Sequence, residues 1–273
     1  MAKNHSITIL GSGTSTGVPI PGCTCKVCQS PLKENKRLRT SFFIESSNGS
    51  KVIIDTGPDL RTQLLREGIT DIDAAIITHE HADHLHGIDD LRPFCFLHNK
   101  EIPVYTSAHT IESMTNRFPY IFDESYFSSD RPHIGGGVPK LKLHELKPGT
   151  GEVKIANDEF YFELLPHGYG QTLLVGFEKM AIAIDCHEIP ENVLQRLQEK
   201  NLDLLIIDCV REKPHKTHLS LDKSFSYIKQ IGAKRSVLVH MGHELDHEYL
   251  SKKCYESFKE SVFPGHDSMR LSF

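Results

Sequence analysis

The sequence lacks any long hydrophobic run. No apolar stretch approaches the roughly 18 residues that a membrane-spanning helix needs. The first residues also lack the apolar core of a signal peptide, and residues 6–10 are instead typical of a first β-strand. We therefore expect a cytoplasmic protein that has no contact with a membrane.

An excess of positive charge is also missing. Lys and Arg number 31 against 36 Asp and Glu, which gives a net charge of −5 and a pI near 6.4. Proteins that grip long nucleic acid usually present a basic face, so this balance argues against long nucleic acid as a partner. The chain has no low-complexity segment and no linker, and we expect a single domain over residues 1–273.

Two common catalytic motifs are absent. The Gly/Ser/Thr loop at residues 11–19 has neither the Lys-Ser/Thr ending of a P-loop nor the Gly-x-Gly-x-x-Gly spacing. No Gly-x-Ser-x-Gly elbow occurs either. We therefore expect neither a glycine-rich phosphate loop nor a serine nucleophile.

Histidine, in contrast, is abundant, with 17 residues, and the densest group is His79-Glu80-His81-Ala82-Asp83-His84. It follows an apolar run at residues 74–77, which predicts a buried strand. Residues two apart in an extended segment point to the same side, so His79 and His81 can address one metal ion, and Asp83 and His84 another. The spacing differs from the helical zinc motif, in which two His lie four residues apart. A solvated polar loop is the alternative, but metal sites in α/β sheets tend to lie at such strand ends.

Four more polar residues follow apolar runs in the second half: His167, Asp185, Asp208 and His240. A single His or Asp at a strand end is more often structural than a metal ligand. Four of them downstream of the histidine loop favour one shared site.

Short β-rich runs alternate with amphipathic helical stretches. Predicted strands lie near residues 6–11, 41–46, 51–55, 73–78, 102–105, 141–146, 152–155, 160–165, 172–177, 180–185, 203–208, 235–240 and 269–272. Predicted helical segments lie near residues 58–67, 86–91, 109–117, 190–200, 220–231 and 246–259. Two halves, about residues 1–118 and 140–273, indicate two stacked sheets with helices outside, an α/β (α+β) fold. The aperiodic residues 119–139 are expected to form a long loop, and a flap or a dimer contact and an irregular surface are both open interpretations of it.

Seven cysteines are unevenly distributed, and Cys23, Cys25 and Cys28 form a cluster. Without an export signal, such a cluster indicates metal before disulfide. A tetrahedral structural zinc needs a fourth ligand, and His243, three residues after His240, is free to supply it. The scattered Cys95, Cys186, Cys209 and Cys254 are expected to be small buried hydrophobes.

The His-x-His-x-Asp-His motif resembles the signature of the metallo-β-lactamase fold hydrolases. The resemblance implies a four-layer αββα sandwich and two divalent metal ions, zinc or manganese. It assigns His79, His81 and His167 to the first ion, Asp83, His84 and His240 to the second, and Asp185 to a bridge between them. Asp55 and Asp208 are then expected to orient ligand imidazoles.

A narrower resemblance comes from the order of motifs along nearly the whole chain: Gly17-Val18-Pro19, Cys-x-Cys-x-x-Cys, the histidine loop, His218, and His240-x-x-His243. These are similar to the phosphodiesterase family of the carbon–phosphorus lyase pathway. That family implies hydrolysis of a phosphoribosyl cyclic phosphate-like diester by a metal-bridging hydroxide, a structural zinc and a homodimer. Cys186 and the length of residues 119–139 depart from the family pattern and leave the substrate open.

The leaving group of a diester needs a proton, for which a histidine is the usual donor. His218, just before a predicted helix, is the best candidate, and His215 is a weaker one. Three alternatives remain: a thioester or lactone hydrolase using the same metals, a ribonuclease Z-like nuclease, and a non-catalytic zinc protein. The nuclease would need a basic arm, and residues 119–139 are not basic.

Overall fold

The computed structural model describes residues 5–123 and 137–273 of the chain. Its strands are β1 (Ser6–Gly11), β2 (Ser41–Glu45), β3 (Lys51–Ile54), β4 (Ala74–Ile76), β5 (Ile102–Thr106), β6 (Leu141–Glu145), β7 (Glu152–Ile155), β8 (Asp158–His167), β9 (Gly170–Phe177), β10 (Met180–Ala183), β11 (Leu204–Asp208), β12 (Arg235–Val239), β13 (Val262–Pro264) and β14 (Met269–Ser272). Its helices are α1 (Leu60–Glu67), α2 (Ala82–Leu85), α3 (Arg92–Leu97), α4 (Ala108–Arg117), α5 (Pro119–Phe122), α6 (Glu191–Glu199), α7 (Leu221–Ile231) and α8 (His247–Phe258).

The strands form two seven-stranded sheets. The first has the order β14-β1-β2-β3-β4-β5-β6, and the second has the order β13-β12-β11-β10-β9-β8-β7. Strands β6 and β14 come from the predicted second half but pair in the first sheet, so the sheets do not divide at residues 118–140. In each sheet four consecutive strands run parallel, β3 to β6 and β10 to β13. Their carboxyl ends therefore meet along one edge of each sheet.

The apolar run of β11 shows how the layers form. Leu204 and Ile206 point into the core between the two sheets, where they join Ile44 and Val52 of the first sheet. Leu205 and Ile207 point to the opposite face, which helices α6, α7 and α8 cover. A strand buried on both faces is apolar at every position, which is why these segments are continuous hydrophobic runs.

Helices α1, α3 and α4 cover the outer face of the first sheet through Leu64, Phe94 and Met114. The layers are thus helix, sheet, sheet and helix, and the predicted αββα sandwich is confirmed. Within the described ranges, no helix combines the length and the apolar character needed to cross a bilayer.

Most predicted elements are present, with differences at a few places. The end of α1 before Gly68, which has a φ of 64°, is confirmed. Strand β13 was not predicted, because it is a three-residue edge strand that contains proline. The predicted helical piece at residues 86–91 is instead a 3-10 turn at residues 88–91 between α2 and α3. Residues 124–136, most of the proposed flap, lie outside the described residues.

Candidate metal centre

The polar residues predicted at strand ends lie at the carboxyl ends of β3, β8, β10, β11 and β12. Asp55 follows β3, Asp185 follows β10, and His240 follows β12, while His167 and Asp208 are the last residues of β8 and β11. Ligands of open α/β sheets bind at the carboxyl ends of the strands. This edge therefore brings together residues that lie far apart in the sequence.

The backbone bends sharply at three of these positions. Asp55, Asp185 and His240 have φ values of 63°, 50° and 59°. The left-handed region is uncommon for residues other than glycine and costs about 1–3 kcal/mol each when the surrounding structure imposes it. All three side chains are buried. Such imposed strain is typical of functional sites.

His79, His81 and His167, predicted to hold the first ion, are brought together. His167 Nε2 lies 3.2 Å from His81 Nδ1, and one ligand atom from each of the three lies within 4.8 Å of the others. Two nitrogens on one tetrahedral ion, at bond lengths of 2.0–2.1 Å, would be about 3.3 Å apart. The spacing fits a shared metal ion.

Asp83, His84 and His240, predicted to hold the second ion, form a neighbouring group. His84 Nε2 lies 3.1 Å from both Asp83 Oδ2 and Asp185 Oδ2. Asp185 Oδ1 lies 3.3 Å from His240 Nε2 and 3.9 Å from His167 Nε2. Asp185 therefore reaches both groups, which is the position that a bridging carboxylate requires.

Three of the ligand imidazoles are oriented by a polar group at their Nδ1 atoms. Asp55 Oδ2 lies 2.7 Å from His84 Nδ1 and accepts a hydrogen bond from the Thr78 hydroxyl, while Asp55 Oδ1 accepts one from the Thr78 backbone N–H. The Thr78 hydroxyl lies 3.0 Å from His79 Nδ1. His167 Nδ1 donates to the carbonyl of Thr217 at 2.9 Å. A hydrogen bond at Nδ1 sets the tautomer and points Nε2 at the ion. The sequence analysis found Asp55 but missed Thr78 and Thr217.

Asp208 supports two histidines at once. Its Oδ2 lies 3.1 Å from His218 Nδ1, and its Oδ1 lies 3.5 Å from His240 Nδ1. The ring of His218 stacks on that of His240, with centroids 4.9 Å apart. His218 therefore stands beside the metal centre, and its Nδ1 also lies 3.6 Å from Asp185 Oδ1.

Several buried atoms in this cluster have no hydrogen-bond partner among the described residues. Besides Asp208 Oδ1 and His240 Nδ1, which lie close to each other, they include four atoms that face the site: His79 Nε2, His84 Nε2, His240 Nε2 and Asp185 Oδ2. Leaving a buried polar group unpaired costs about 1–3 kcal/mol. Because all four atoms belong to predicted metal ligands, divalent cations fit this donor set.

The carboxylates and imidazoles also shift one another's pKa values. Burial lowers the pKa of His240, but Asp185, Asp208 and Asp83 outweigh it and raise the pKa to about 10. For His84, burial is likewise outweighed by Asp185, Asp55 and Asp83, and the pKa lies well above its ordinary value. Burial and the neighbouring His84 hold the pKa of His79 well below its usual range. The site is thus an array of acidic groups that attracts positive charge.

The cysteine cluster meets His243 as predicted. His243 Nδ1 lies 3.2, 3.5 and 3.7 Å from the sulfur atoms of Cys23, Cys25 and Cys28. On a tetrahedral zinc ion the sulfur and nitrogen ligands would be about 3.6 Å apart, so the four side chains fit a zinc site. Backbone donation from Cys28 lowers the pKa of Cys25 to about 6 against the opposing effect of burial, which favours the thiolate that zinc needs.

No disulfide links the seven cysteines, all of which lie in the described ranges. The four scattered ones are buried, as predicted: Cys95, Cys186, Cys209 and Cys254.

A buried arginine that the sequence analysis missed holds the His243 loop. Arg37 is 1% exposed and donates to the carbonyls of Gly242 at 2.9 Å and Leu245 at 2.7 Å. These carbonyls flank His243. A charged residue at this position in the sequence gives no sign that it is buried.

A cavity of about 600 Å³ opens over the metal centre. Its lining includes the site residues His79, His81, Asp83, His167, Asp185 and His218, together with Ser15, Glu80, His109, Tyr169 and Gln171. The cavity is therefore lined mainly by polar side chains.

A family model described as the beta-lactamase superfamily domain matches residues 50–241, a range that contains His79, His167 and His240. The chain belongs to the beta-lactamase superfamily. It has the metallo-β-lactamase fold, as predicted.

Solved structures agree with this assignment. A diphosphatase from the PhnP family is 33% identical, with a TM-score of 0.87, and the comparison covers 99% of this chain and 97% of that one. The predicted resemblance to a PhnP-like member of the metallo-β-lactamase fold is confirmed. Zinc-bound PqqB from Methylobacterium extorquens is 16% identical, with a TM-score of 0.75 and coverage of 98% and 100%, and shows the shared fold.

A curated relative is named as a transferase, not as a phosphatase. An octanoyltransferase of Porphyromonas gingivalis is 35% identical over 264 residues, which is 96% of this chain and 50% of that protein. The chain therefore spans about half the length of this relative.

Proposed function

We propose that this chain is a phosphodiesterase that hydrolyses a small phosphodiester with two divalent metal ions. The observation that carries the proposal is the convergence of seven His and Asp side chains beside His218, itself held by a buried carboxylate. Similarity to the PhnP-family diphosphatase supports chemistry at phosphorus.

The donor set supports two adjacent ions. His79, His81 and His167 would hold one, Asp83, His84 and His240 the other, and Asp185 would contact both. When bound, such a pair supplies an activated water and neutralises the charge that develops on an attacked phosphorus. Histidine and carboxylate ligands suit zinc or manganese. The thiolates of Cys23, Cys25 and Cys28 favour zinc at the separate site.

His218 is the proposed proton donor. Asp208 lies 3.1 Å from its Nδ1, so its Nε2 is the nitrogen left for the cavity, and its side chain is 13% exposed. In the hydrolysis, a water oxygen forms a bond to phosphorus, the bond to the leaving oxygen breaks, and His218 gives that oxygen a proton. Asp83, which lies beside His84, is also proposed to be a catalytic residue.

The polar cavity supports a small substrate over long nucleic acid. The described residues that line the cavity include Glu80 and no lysine or arginine. Protein grooves that bind nucleic acid, in contrast, depend on cationic side chains. The homodimer that the resemblance implies stays a prediction.

A hydrolase for acyl substrates, such as a thioester, is the second candidate, because the relative from Porphyromonas gingivalis carries the name octanoyltransferase. Against it, a thiolate leaving group has little need of the proton that His218 is placed to give.

The test is a substrate screen with zinc- and manganese-loaded protein. It compares bis(p-nitrophenyl) phosphate, 2′,3′-cyclic nucleotides, ribose cyclic phosphate, octanoyl thioesters and lactones. We expect turnover of diesters. Turnover of thioesters or lactones alone would replace the proposal with the second candidate.

His218→Ala then tests the proton donor. Removing a general acid costs about 10²–10⁴-fold in rate, so we expect a loss of this size for diesters with an alkoxide leaving group and a much smaller loss for p-nitrophenolate. His215→Ala is the matched control, since His215 lies in the same loop and its Nδ1 accepts from the backbone of Thr217. Full activity of His218→Ala on alkyl diesters with its metal intact would exclude this role.

A further inference from the structure

A second cavity, of about 750 Å³, adjoins the cavity over the metal centre. His109, Tyr169, Gly170 and Gln171 line both. The two cavities are therefore neighbours, and we call the second one the side groove. His218 lines the first cavity but is not part of the described lining of the side groove. A group bound in the side groove therefore lies away from His218, the proposed proton donor.

The walls of the side groove suit a flat, weakly polar group. Leu164, Pro148 and Pro166 supply apolar surface, and Ser107 and Gln171 supply hydrogen-bonding groups. Glu145 and Lys147, which carry opposite charges, also line the groove. A hydroxyl and an amide beside apolar walls can bind an aromatic ring whose faces are apolar and whose edge carries polar atoms.

Tyr169 stands at the junction of the two cavities with a fully exposed side chain. It lies in the turn between β8 and β9, two residues after His167, and has glycine on both sides. Gly168 has a φ of 60°, and a Cβ there would lie 3.1 Å from the Thr217 side chain. The turn that carries Tyr169 therefore lies beside Thr217, whose carbonyl accepts the hydrogen bond from His167. An exposed aromatic ring is a surface on which another ring can stack.

The charge where the two cavities meet indicates which chemical group connects a ring bound in the side groove to the phosphate. The carboxylate of Glu80 lies 3.5 Å from His109 Nε2, and both side chains line the first cavity. A carboxylate repels a second phosphate but accepts hydrogen bonds from hydroxyl groups. A sugar fits this position better than a second anionic group.

We infer that the side groove binds a nucleoside carried by the part of the diester that stays on phosphorus. The base stacks on Tyr169 against the apolar wall, the sugar hydroxyls lie near Glu80 and His109, and the phosphate lies at the metal centre. The inference rests on the proposed phosphodiesterase function and names its substrate class, a nucleoside-bearing diester. A compact sugar cyclic phosphate would leave the side groove empty.

Two substrates with one leaving group test this. Thymidine 5′-(p-nitrophenyl phosphate) and methyl p-nitrophenyl phosphate release the same p-nitrophenolate, so the ratio of their kcat/KM values reports only on the retained group. Stacking on an aromatic side chain is sequence-tolerant and strong, so Tyr169→Ala should lower the thymidyl-to-methyl ratio about tenfold, and Tyr169→Phe should preserve it. Tyr255→Ala is the matched control, because Tyr255 is 55% exposed on α8 and lines neither cavity.

A binding measurement separates the groove from the reaction. Calorimetric titration of the metal-loaded protein with thymidine 5′-monophosphate should show affinity that falls about tenfold in Tyr169→Ala. Binding of this kind without hydrolysis of either diester would support the groove and overturn the proposed function. Hydrolysis of both diesters, with a ratio and an affinity unchanged by Tyr169→Ala, would overturn the groove and leave the function standing. An equal loss on both substrates would also overturn it, since Tyr169 would then act on the fold or the reaction.

Discussion

Replacing Asp208 by asparagine tests whether one buried carboxylate supports both a metal ligand and a proton donor. Asp208 has no exposed surface, and its two oxygens face His218 and His240 at 3.1 and 3.5 Å. Burial raises the pKa of Asp208, but the hydrogen bond with His218 and the nearby His240 imidazole outweigh it and hold the pKa below its ordinary value. The side chain is therefore an anion, and asparagine removes its charge while keeping its shape.

The expected losses of metal affinity and of reaction rate follow from the two roles of Asp208. Losing the group behind a metal-bound histidine lowers metal affinity or activity about 10- to 100-fold. Disturbing a general acid costs up to about 10²–10⁴-fold in rate. We expect Asp208→Asn to bind the catalytic metals about 10- to 100-fold more weakly. At saturating metal it should still be about 100-fold slower on alkyl diesters and much less impaired on p-nitrophenyl esters.

Asp55→Asn is the matched control. Asp55 is equally buried and lies 2.7 Å from His84 Nδ1, but its described contacts do not include His218. It should share the loss of metal affinity and keep the wild-type dependence on the leaving group. Metal affinity is measured by competition with a chromophoric chelator, and the rates by steady-state kinetics. Identical leaving-group dependence in the two variants would refute the division of roles.

Three further outcomes are expected. Chelation should remove the ions at the His and Asp ligands and leave one zinc per chain on Cys23 and its partners, because thiolates hold zinc more tightly; elemental analysis counts the ions. His84 and His240, with pKa values raised mainly by carboxylates that outweigh burial, carry protons in the metal-free protein at pH 7, so metal must displace them. Affinity should then rise about 10- to 100-fold per pH unit, with proton release seen by calorimetry in buffers of different ionisation enthalpy. Arg37→Lys should leave carbonyls beside His243 unpaired, destabilise the fold by about 2–4 kcal/mol in urea unfolding and speed zinc loss.

Each expectation has a result that contradicts it. A chain that releases all its zinc with the catalytic metals would argue against a separate thiolate site. Metal binding without proton release would mean that His84 and His240 are neutral before metal arrives. An Arg37→Lys protein as stable as the wild type would show that lysine or water can satisfy the carbonyls of Gly242 and Leu245.

The sequence by itself determined the features whose chemistry is local. The group from His79 to His84 stands out because a packed core has no use for so many imidazoles after a buried strand. Asp185, Asp208 and His240 stand out because each ends an apolar run. The αββα layers follow from the same runs, since strands that are apolar on both faces must be covered on both.

Only the tertiary structure decided which of these groups meet. Cys23 and His243 lie 220 positions apart, and Asp208 serves both His218 and His240 because the ends of β11 and β12 are neighbours in one sheet. The carbonyl that orients His167 belongs to Thr217, and a backbone carbonyl leaves no signature in a sequence. The left-handed turns at Asp55, Asp185 and His240 and the place of Tyr169 beside the cavity likewise depend on how two sheets pack. Packing is a property of the whole core, so no local segment encodes it.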